Sequence, residues 1–184
     1  MNGHSINGFE AHKYAILRSV IDRPTAAFLS DYALRCAAGG TACSDNQVPG
    51  TPAVYGAPLM EKLLVKLVPA VEAACGRAVY PTYSYFRVYK KGDALARHKD
   101  RPACEISLSL CLSSNSPAPW PLFVEGPLGV CVAELHEGDG LLYRGTECPH
   151  WREPFDGAAA AQVFLHYVEQ NGPHAEWRYD RRLP

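Results

Sequence analysis

The sequence predicts a mainly β domain, a sandwich or jelly roll of strands with supporting helices near its N-terminal end. Three observations favour this fold. The chain has 184 residues, the size of one ordinary domain. Helix signals precede Gly76, and short β-rich runs separated by Gly and Pro follow it. We therefore expect one domain over 1–184, with helical support over about 14–76, a β core over about 79–168 and a tail over 169–184.

The first two predicted elements are a strand and a helix. Residues 14–21 are rich in apolar and β-branched side chains, as in a strand. Asp22 is a candidate N-cap and Pro24 suits a first helical turn, so a helix is expected over about 24–37.

A long loop and a second helix follow. Residues 38–58 are rich in Gly, Ser, Thr and Pro without periodicity, which predicts a surface loop and a candidate lid. From Leu59 to Val71 apolar residues recur at helical spacing, and Gly76 suits a helix end. Pro69 lacks an amide hydrogen, so it should bend or break this helix.

The β core begins after Gly76. The predicted strands span 79–89, 104–112, 122–125, 130–135, 141–144 and 162–168. Because side chains alternate along a strand, Tyr83, Tyr85, Arg87 and Tyr89 share one face, which we expect to point inward.

Alternation also groups polar residues on two later strands. Glu105, Ser107, Ser109 and Cys111 share a face that either lines a site or meets water. Gln162, Phe164 and His166 share a face of the last strand, and we expect His166 to line a pocket or bond within the core.

Composition excludes several classes of function. With 18 basic and 19 acidic residues the net charge is -1, so we expect neither nucleic acid nor an anionic membrane as partner. The basic residues Arg178, Arg181 and Arg182 are interpreted as part of a solvated tail. No secretory signal and no run of ~18 apolar residues is present.

The seven cysteines are expected to be mostly buried, reduced thiols, because the absence of a CxxC pair argues against a disulfide framework or a structural zinc site. The lack of a secretory signal and of a long apolar run leads us to expect a cytoplasmic protein. The oligomeric state stays open.

Two histidines and a carboxylate form the candidate metal site. His98 and Asp100 are two residues apart in an extended segment, which places both side chains on one side. His150 follows a second strand-and-loop unit, GDGLLYRGTECPH, that begins at Gly138. Two imidazoles and one carboxylate on a β scaffold are typical of the facial triad of non-haem iron oxygenases.

In these motifs the sequence resembles the Fe(II)/2-oxoglutarate dioxygenases, in particular the prolyl-hydroxylase-like branch. The resemblance covers about 80–168 and includes the His-x-Asp pair after a tyrosine-rich strand, the distal histidine and the closing apolar strand. It implies a double-stranded β-helix, a jelly roll with N-terminal helices packed on one sheet. His98, Asp100 and His150 would then bind Fe(II) and be the catalytic residues.

The resemblance also implies a reaction. With 2-oxoglutarate as cosubstrate and O2 as oxidant, a C–H bond of the substrate is oxidised while succinate and CO2 are released. Ascorbate is an expected reductant. In this family a carboxylate ligand, here Asp100, is associated with hydroxylation rather than halogenation.

One family feature is missing. A basic residue usually binds the distal carboxylate of 2-oxoglutarate about ten residues beyond the distal histidine, where this chain has alanines at 158–161. Arg152, two residues after His150, is the first replacement candidate, because its planar guanidinium suits a carboxylate. Arg87 is the second, and Tyr89 falls where the family has a tyrosine on the cosubstrate.

Two other functions remain open. A cupin-like jelly-roll metalloenzyme would use the same ligands without 2-oxoglutarate, and a non-catalytic relative would only bind a ligand. The small chain favours a small molecule, an amino acid or a peptide side chain as substrate.

Overall fold

Two antiparallel sheets form the body of the protein. The computed structural model describes residues 6–40 and 42–182. Its strands are β1 (Tyr14–Leu17), β2 (Ala53–Tyr55), β3 (Val79–Lys90), β4 (Leu95–His98), β5 (Ile106–Ser114), β6 (Leu122–Gly126), β7 (Gly129–Ala133), β8 (Gly140–Arg144), β9 (His150–Arg152) and β10 (Ala159–Glu169). The large sheet has the order β1-β8-β5-β10-β3-β2, and the small sheet the order β4-β9-β6-β7. The predicted jelly roll is confirmed.

The helices pack against the large sheet. They are α1 (Ile6–His12), α2 (Arg23–Ala38), α3 (Pro58–Lys66) and α4 (Val68–Cys75). The Asp22 side chain caps α2 by accepting a hydrogen bond of 2.8 Å from the backbone N–H of Thr25. Leu29 of α2 and Met60 of α3 are buried in one core with Leu108 of β5. The predicted helical support on one sheet is therefore confirmed.

The first strand is shorter than predicted. It ends at Leu17, and residues 18–21 form a turn in which Ser19 has a φ of 50°. Asp139 holds this turn, because its carboxylate accepts hydrogen bonds of 2.7 Å from Arg18 and 2.9 Å from the Ser19 N–H. A distant partner thus overrides the β propensity of the segment.

The stretch predicted as the second helix is two helices. Leu67 separates α3 from α4, and Pro69 lies in the first turn of α4, so the predicted break is confirmed. The loop over 38–58 contains β2, which the sequence did not predict because its three residues gain their order from pairing with β3. The short helix α1 was also missed.

The C-terminal segment is not the solvated tail that its basic residues suggested. Residues Ala175–Arg181 form a 3-10 segment that is interrupted by a kink, where the backbone angles of Arg178, Tyr179 and Asp180 are not helical. Asp180 accepts hydrogen bonds of 2.8 and 2.9 Å from Arg101 and one of 2.6 Å from the Tyr55 hydroxyl. Arg182 pairs with Glu61 at 2.7 Å. A carboxylate placed among the basic residues therefore docks this segment onto the body of the protein.

Candidate metal centre

The small sheet brings the two histidines together. His98 ends β4 and His150 begins β9, and the two residues are direct partners in the antiparallel ladder. Asp100 follows β4, and its Oδ1 lies 3.6 Å from Nε2 of His98 and 3.6 Å from Nε2 of His150. One ligand atom from each of the three residues lies within 4.8 Å of the others. The structure thus places the three predicted ligands as one cluster.

Backbone carbonyls orient both rings. Nδ1 of His98 is 2.8 Å from the carbonyl oxygen of Ala96, and Nδ1 of His150 is 3.0 Å from that of Cys148. A carbonyl oxygen can only accept, so each Nδ1 carries the proton and donates it. In the neutral ring each Nε2 therefore holds the lone pair that a metal-binding imidazole requires.

Asp100 is fixed by its neighbours rather than by a strand. Its N–H donates to the carbonyl oxygen of Gly145 at 2.9 Å, and its Oδ2 accepts from the Ser107 hydroxyl at 3.0 Å. Gly145 leaves the room for this carboxylate, since a Cβ there would overlap Oδ2 and lie 3.0 Å from Cβ of Asp100. Oδ1 is consequently left for the two histidines.

The pKa shifts of Asp100 and His150 favour metal binding, because they keep the carboxylate charged and the imidazole neutral, whereas that of His98 favours its protonated form. Burial raises the pKa of Asp100, but hydrogen bonding to His98 and the charge of His150 outweigh this, and the pKa lies below its ordinary value. Burial lowers the pKa of His150. Burial also acts to lower the pKa of His98, but its bonds to Asp100 and Ala96 raise it overall.

A cavity of about 490 Å³ opens over the cluster. Its walls come from the strands of both sheets, from the loop before β2 and from the segment after β4. The lining residues that the sequence singled out are Tyr83, Tyr85, Arg87, His98, Asp100, His150, Phe164 and His166. The predicted inward face of β3 is therefore confirmed for its first three members, and Tyr89 is fully buried.

Sequence reasoning missed other cavity residues. Asp45 and Gln47 come from the predicted loop, and Tyr55 comes from β2. Arg101 and Cys104 follow the His-x-Asp pair closely, but only the 3-10 turn at Pro102–Cys104 directs them to the cavity. Their proximity in sequence to Asp100 was the one signal available.

Ser107 and His166 lie behind the carboxylate. The Ser107 hydroxyl is 2.9 Å from Nδ1 of His166, and His166 is 6% exposed. Burial lowers the pKa of His166 to about 4, so its ring is neutral. The polar face of β5, left undecided by the sequence, thus faces the space between the sheets.

Arg152 is a buried guanidinium, 2% exposed. Its NH1 donates to the carbonyl oxygen of Trp120 at 2.7 Å and its NH2 to Oε1 of Gln162 at 3.4 Å, while its Nε is buried without a partner. In the described part of the chain no ion pair joins it to a carboxylate. Arg152 does not line the cavity. Burial lowers its pKa overall, although Tyr143, which does line the cavity, acts to raise it.

Arg87 has a counterion. It forms an ion pair with Asp45 of the predicted loop, and the Tyr85 hydroxyl donates to the same carboxylate. Its NH1 lies 3.4 Å from the hydroxyl of Tyr89. This pair joins the loop to β3 beside the cavity.

Comparisons with solved structures identify the fold. The prolyl-4-hydroxylase of Pseudomonas putida superposes with a TM-score of 0.72 at 16% identity, covering 89% of this chain and 96% of that one. A Trichoplax adhaerens prolyl hydroxylase in complex with a hypoxia-inducible-factor peptide fragment gives 0.76 at 14% identity, covering 98% and 92%. EctD from S. alaskensis with 2-oxoglutarate and 5-hydroxyectoine gives 0.72 at 18% identity, covering 99% and 84%. No protein-family model and no curated protein sequence matches the chain.

The chain thus has the fold of 2-oxoglutarate-dependent oxygenases, with prolyl hydroxylases among the similar structures. At such low sequence identities these comparisons show a similarity of fold alone. None of the helices among the described residues is long and apolar enough to cross a membrane.

Proposed function

We propose that this protein is an Fe(II)- and 2-oxoglutarate-dependent dioxygenase that hydroxylates a small molecule, an amino acid or a peptide side chain. The observation that carries the proposal is the convergence of His98, Asp100 and His150 at the base of the cavity, with both Nε2 atoms 3.6 Å from one carboxylate oxygen.

The donor set fits the metal. Two imidazole lone pairs and one carboxylate occupy one side of a metal and leave the other positions open, which is the arrangement of non-haem iron oxygenases. His98, Asp100 and His150 would hold the ion facing the cavity. Iron bound there together with 2-oxoglutarate and O2 would supply the oxidation of a substrate C–H bond, with release of succinate and CO2. Ascorbate would serve as the reductant that keeps the iron in its ferrous form.

Arg152 is the proposed partner of the distal carboxylate of 2-oxoglutarate. A buried guanidinium without a counterion is costly, and a bound carboxylate would compensate its charge. No carboxylate among the described residues pairs with Arg152, whereas Arg87, which lines the cavity, is paired with Asp45. Ala160 of β10 lies in the stretch where the family has its basic residue, and it pairs with Tyr89 of β3. Tyr89 in turn acts to raise the pKa of Arg152. Tyr89 would assist Arg152 from that side, with Arg87 as the alternative.

The volume of the cavity limits the size of the substrate. A volume of about 490 Å³ must hold both the cosubstrate and the reacting part of the substrate. Two of the similar structures contain 5-hydroxyectoine and a peptide fragment. Both support a small molecule or an extended peptide side chain as the substrate. The seven cysteines, which form no disulfide among the described residues, support a reducing compartment such as the cytoplasm.

The deciding experiment measures succinate. Purified protein with Fe(II), 2-oxoglutarate and ascorbate in air should form succinate above a heat-killed control, since such enzymes turn over slowly without their substrate. His150→Ala should form none. If the wild type binds iron and forms no succinate with candidate substrates present, the cupin-like metalloenzyme becomes the better function.

A further inference from the structure

A second cluster of metal-binding side chains lies beside the first. Asp100, Cys104 and His166 each offer a ligand atom, and these atoms lie within 4.8 Å of one another. All three residues line the cavity, and Cys104 and His166 are 3% and 6% exposed. We propose that they form a second metal site, for zinc, that shares Asp100 with the triad.

The hydrogen bonds leave the His166 ring ready to bind a metal. The Ser107 hydroxyl has one hydrogen, and two oxygens that only accept lie near it, Oδ2 of Asp100 at 3.0 Å and the carbonyl oxygen of Cys104 at 3.2 Å. When it donates to either of them, the same hydroxyl accepts from Nδ1 of His166 at 2.9 Å, so Nδ1 carries the ring proton. Nε2 of His166 therefore holds a lone pair.

The two oxygens of Asp100 face different neighbours. Oδ1 lies 3.6 Å from Nε2 of His98 and of His150. Oδ2 accepts a hydrogen bond from Ser107, whose hydroxyl also contacts His166. Asp100 can therefore bind one metal through each oxygen. Zinc on the Oδ2 side would share the carboxylate and repel a second dication, so it would weaken Fe(II) binding at the triad.

Cys104 decides which metal the second cluster takes. A thiolate is a soft ligand that favours zinc over Fe(II), and zinc sites with three protein ligands and one open position are common. The thiol loses its proton to the solvent when the Sγ–metal bond forms. The Tyr83 hydroxyl, 3.0 Å from Sγ, can then donate to the thiolate and keep it oriented.

The experiment uses Co(II) as a spectroscopic substitute for zinc. Anaerobic titration of the full chain should give about two bound ions, and the ion at the second site should show a near-ultraviolet thiolate-to-cobalt charge-transfer band. Zinc should remove this band. Cys104→Ser should abolish it and reduce the stoichiometry to about one, while Cys111→Ser, a second buried cysteine, should leave it unchanged.

Only the expected effect of zinc on Fe(II) binding rests on the proposed function. The variant His98→Ala separates the second metal site from that function. That variant should lose the first ion and keep the thiolate band. If the band persists while the wild type binds no metal at the triad, the second site stands and the proposed oxygenase fails. The second site is refuted if the wild type binds one ion without a thiolate band, or if Cys111→Ser rather than Cys104→Ser removes it.

Discussion

The Ser107 hydroxyl donates a hydrogen bond of 3.0 Å to Oδ2 of Asp100 and thereby turns Oδ1 toward His98 and His150. Outer hydrogen bonds of this kind fix the direction of a metal ligand before the metal arrives. Ser107 belongs to the large sheet and His98 and His150 to the small sheet, so this bond connects the large sheet to the candidate metal cluster.

Ser107→Ala should therefore weaken Fe(II) binding. Loss of an outer partner of a ligand costs roughly 10- to 100-fold in metal affinity. Ser109→Ala is the matched control, because Ser109 has the same burial on the same face of β5 but its Oγ has no hydrogen-bond partner among the described residues. Equilibrium Fe(II) titration of both variants tests this, and equal affinities would show that Ser107 does not position Asp100.

Gly145→Ala should disturb the same carboxylate by crowding. The added methyl group would overlap Oδ2 of Asp100 and the backbone carbonyl of Cys104, and the backbone cannot yield without losing the bond between Gly145 and the Asp100 N–H. We expect a loss of Fe(II) affinity of at least about tenfold, as for other changes around a ligand. Gly8→Ala, where a Cβ meets nothing within 4 Å, should leave the affinity unchanged.

Arg152→Met should weaken 2-oxoglutarate binding and leave Fe(II) affinity nearly unchanged. Hydrogen bonds to charged groups contribute about 1.5–3 kcal/mol, which corresponds to roughly ten- to hundredfold in the dissociation constant. Without cosubstrate the same change should alter the free energy of unfolding little, because the loss of its hydrogen bonds and of its contact with Trp120 offsets the removal of a buried charge that has no carboxylate partner among the described residues.

Anaerobic titration of 2-oxoglutarate into iron-loaded protein measures this effect, with Arg87→Met as the comparison. A normal dissociation constant for Arg152→Met together with a large loss for Arg87→Met would assign the carboxylate to Arg87. No loss in either variant would contradict the proposed position of the cosubstrate.

His166 should make the metal-free protein less stable in acid. Its pKa is about 4 in the folded state and about 6.5 when unfolded, so between these values the unfolded state binds the extra proton. Stability from the neutral ring is complete above about pH 6.5 and should fall by about 3 kcal/mol as the pH decreases to 4. Urea unfolding at several pH values measures it, and His166→Gln should lose this part of the pH dependence.

The fold class and the candidate ligands His98, Asp100 and His150 could be predicted from the sequence alone. Alternation along β3 and the short runs after Gly76 depend on local periods, which can be read without a structure. The spacing of His98 and Asp100 and the unit before His150 gave the candidate triad for the same reason, since each motif is local. The helix signals were local too, including the cap Asp22 and the break at Pro69.

The other residues of the site could be identified only from the tertiary structure. Asp45 reaches Arg87 across 42 residues, and Asp180 reaches Arg101 across 79, so neither pair has a local signature. The strand β1 ended early because Asp139, far along the chain, holds the following turn. Whether the polar face of a strand such as β5 meets water or lines a cavity depends on the element that packs against it. Here that element is the facing sheet.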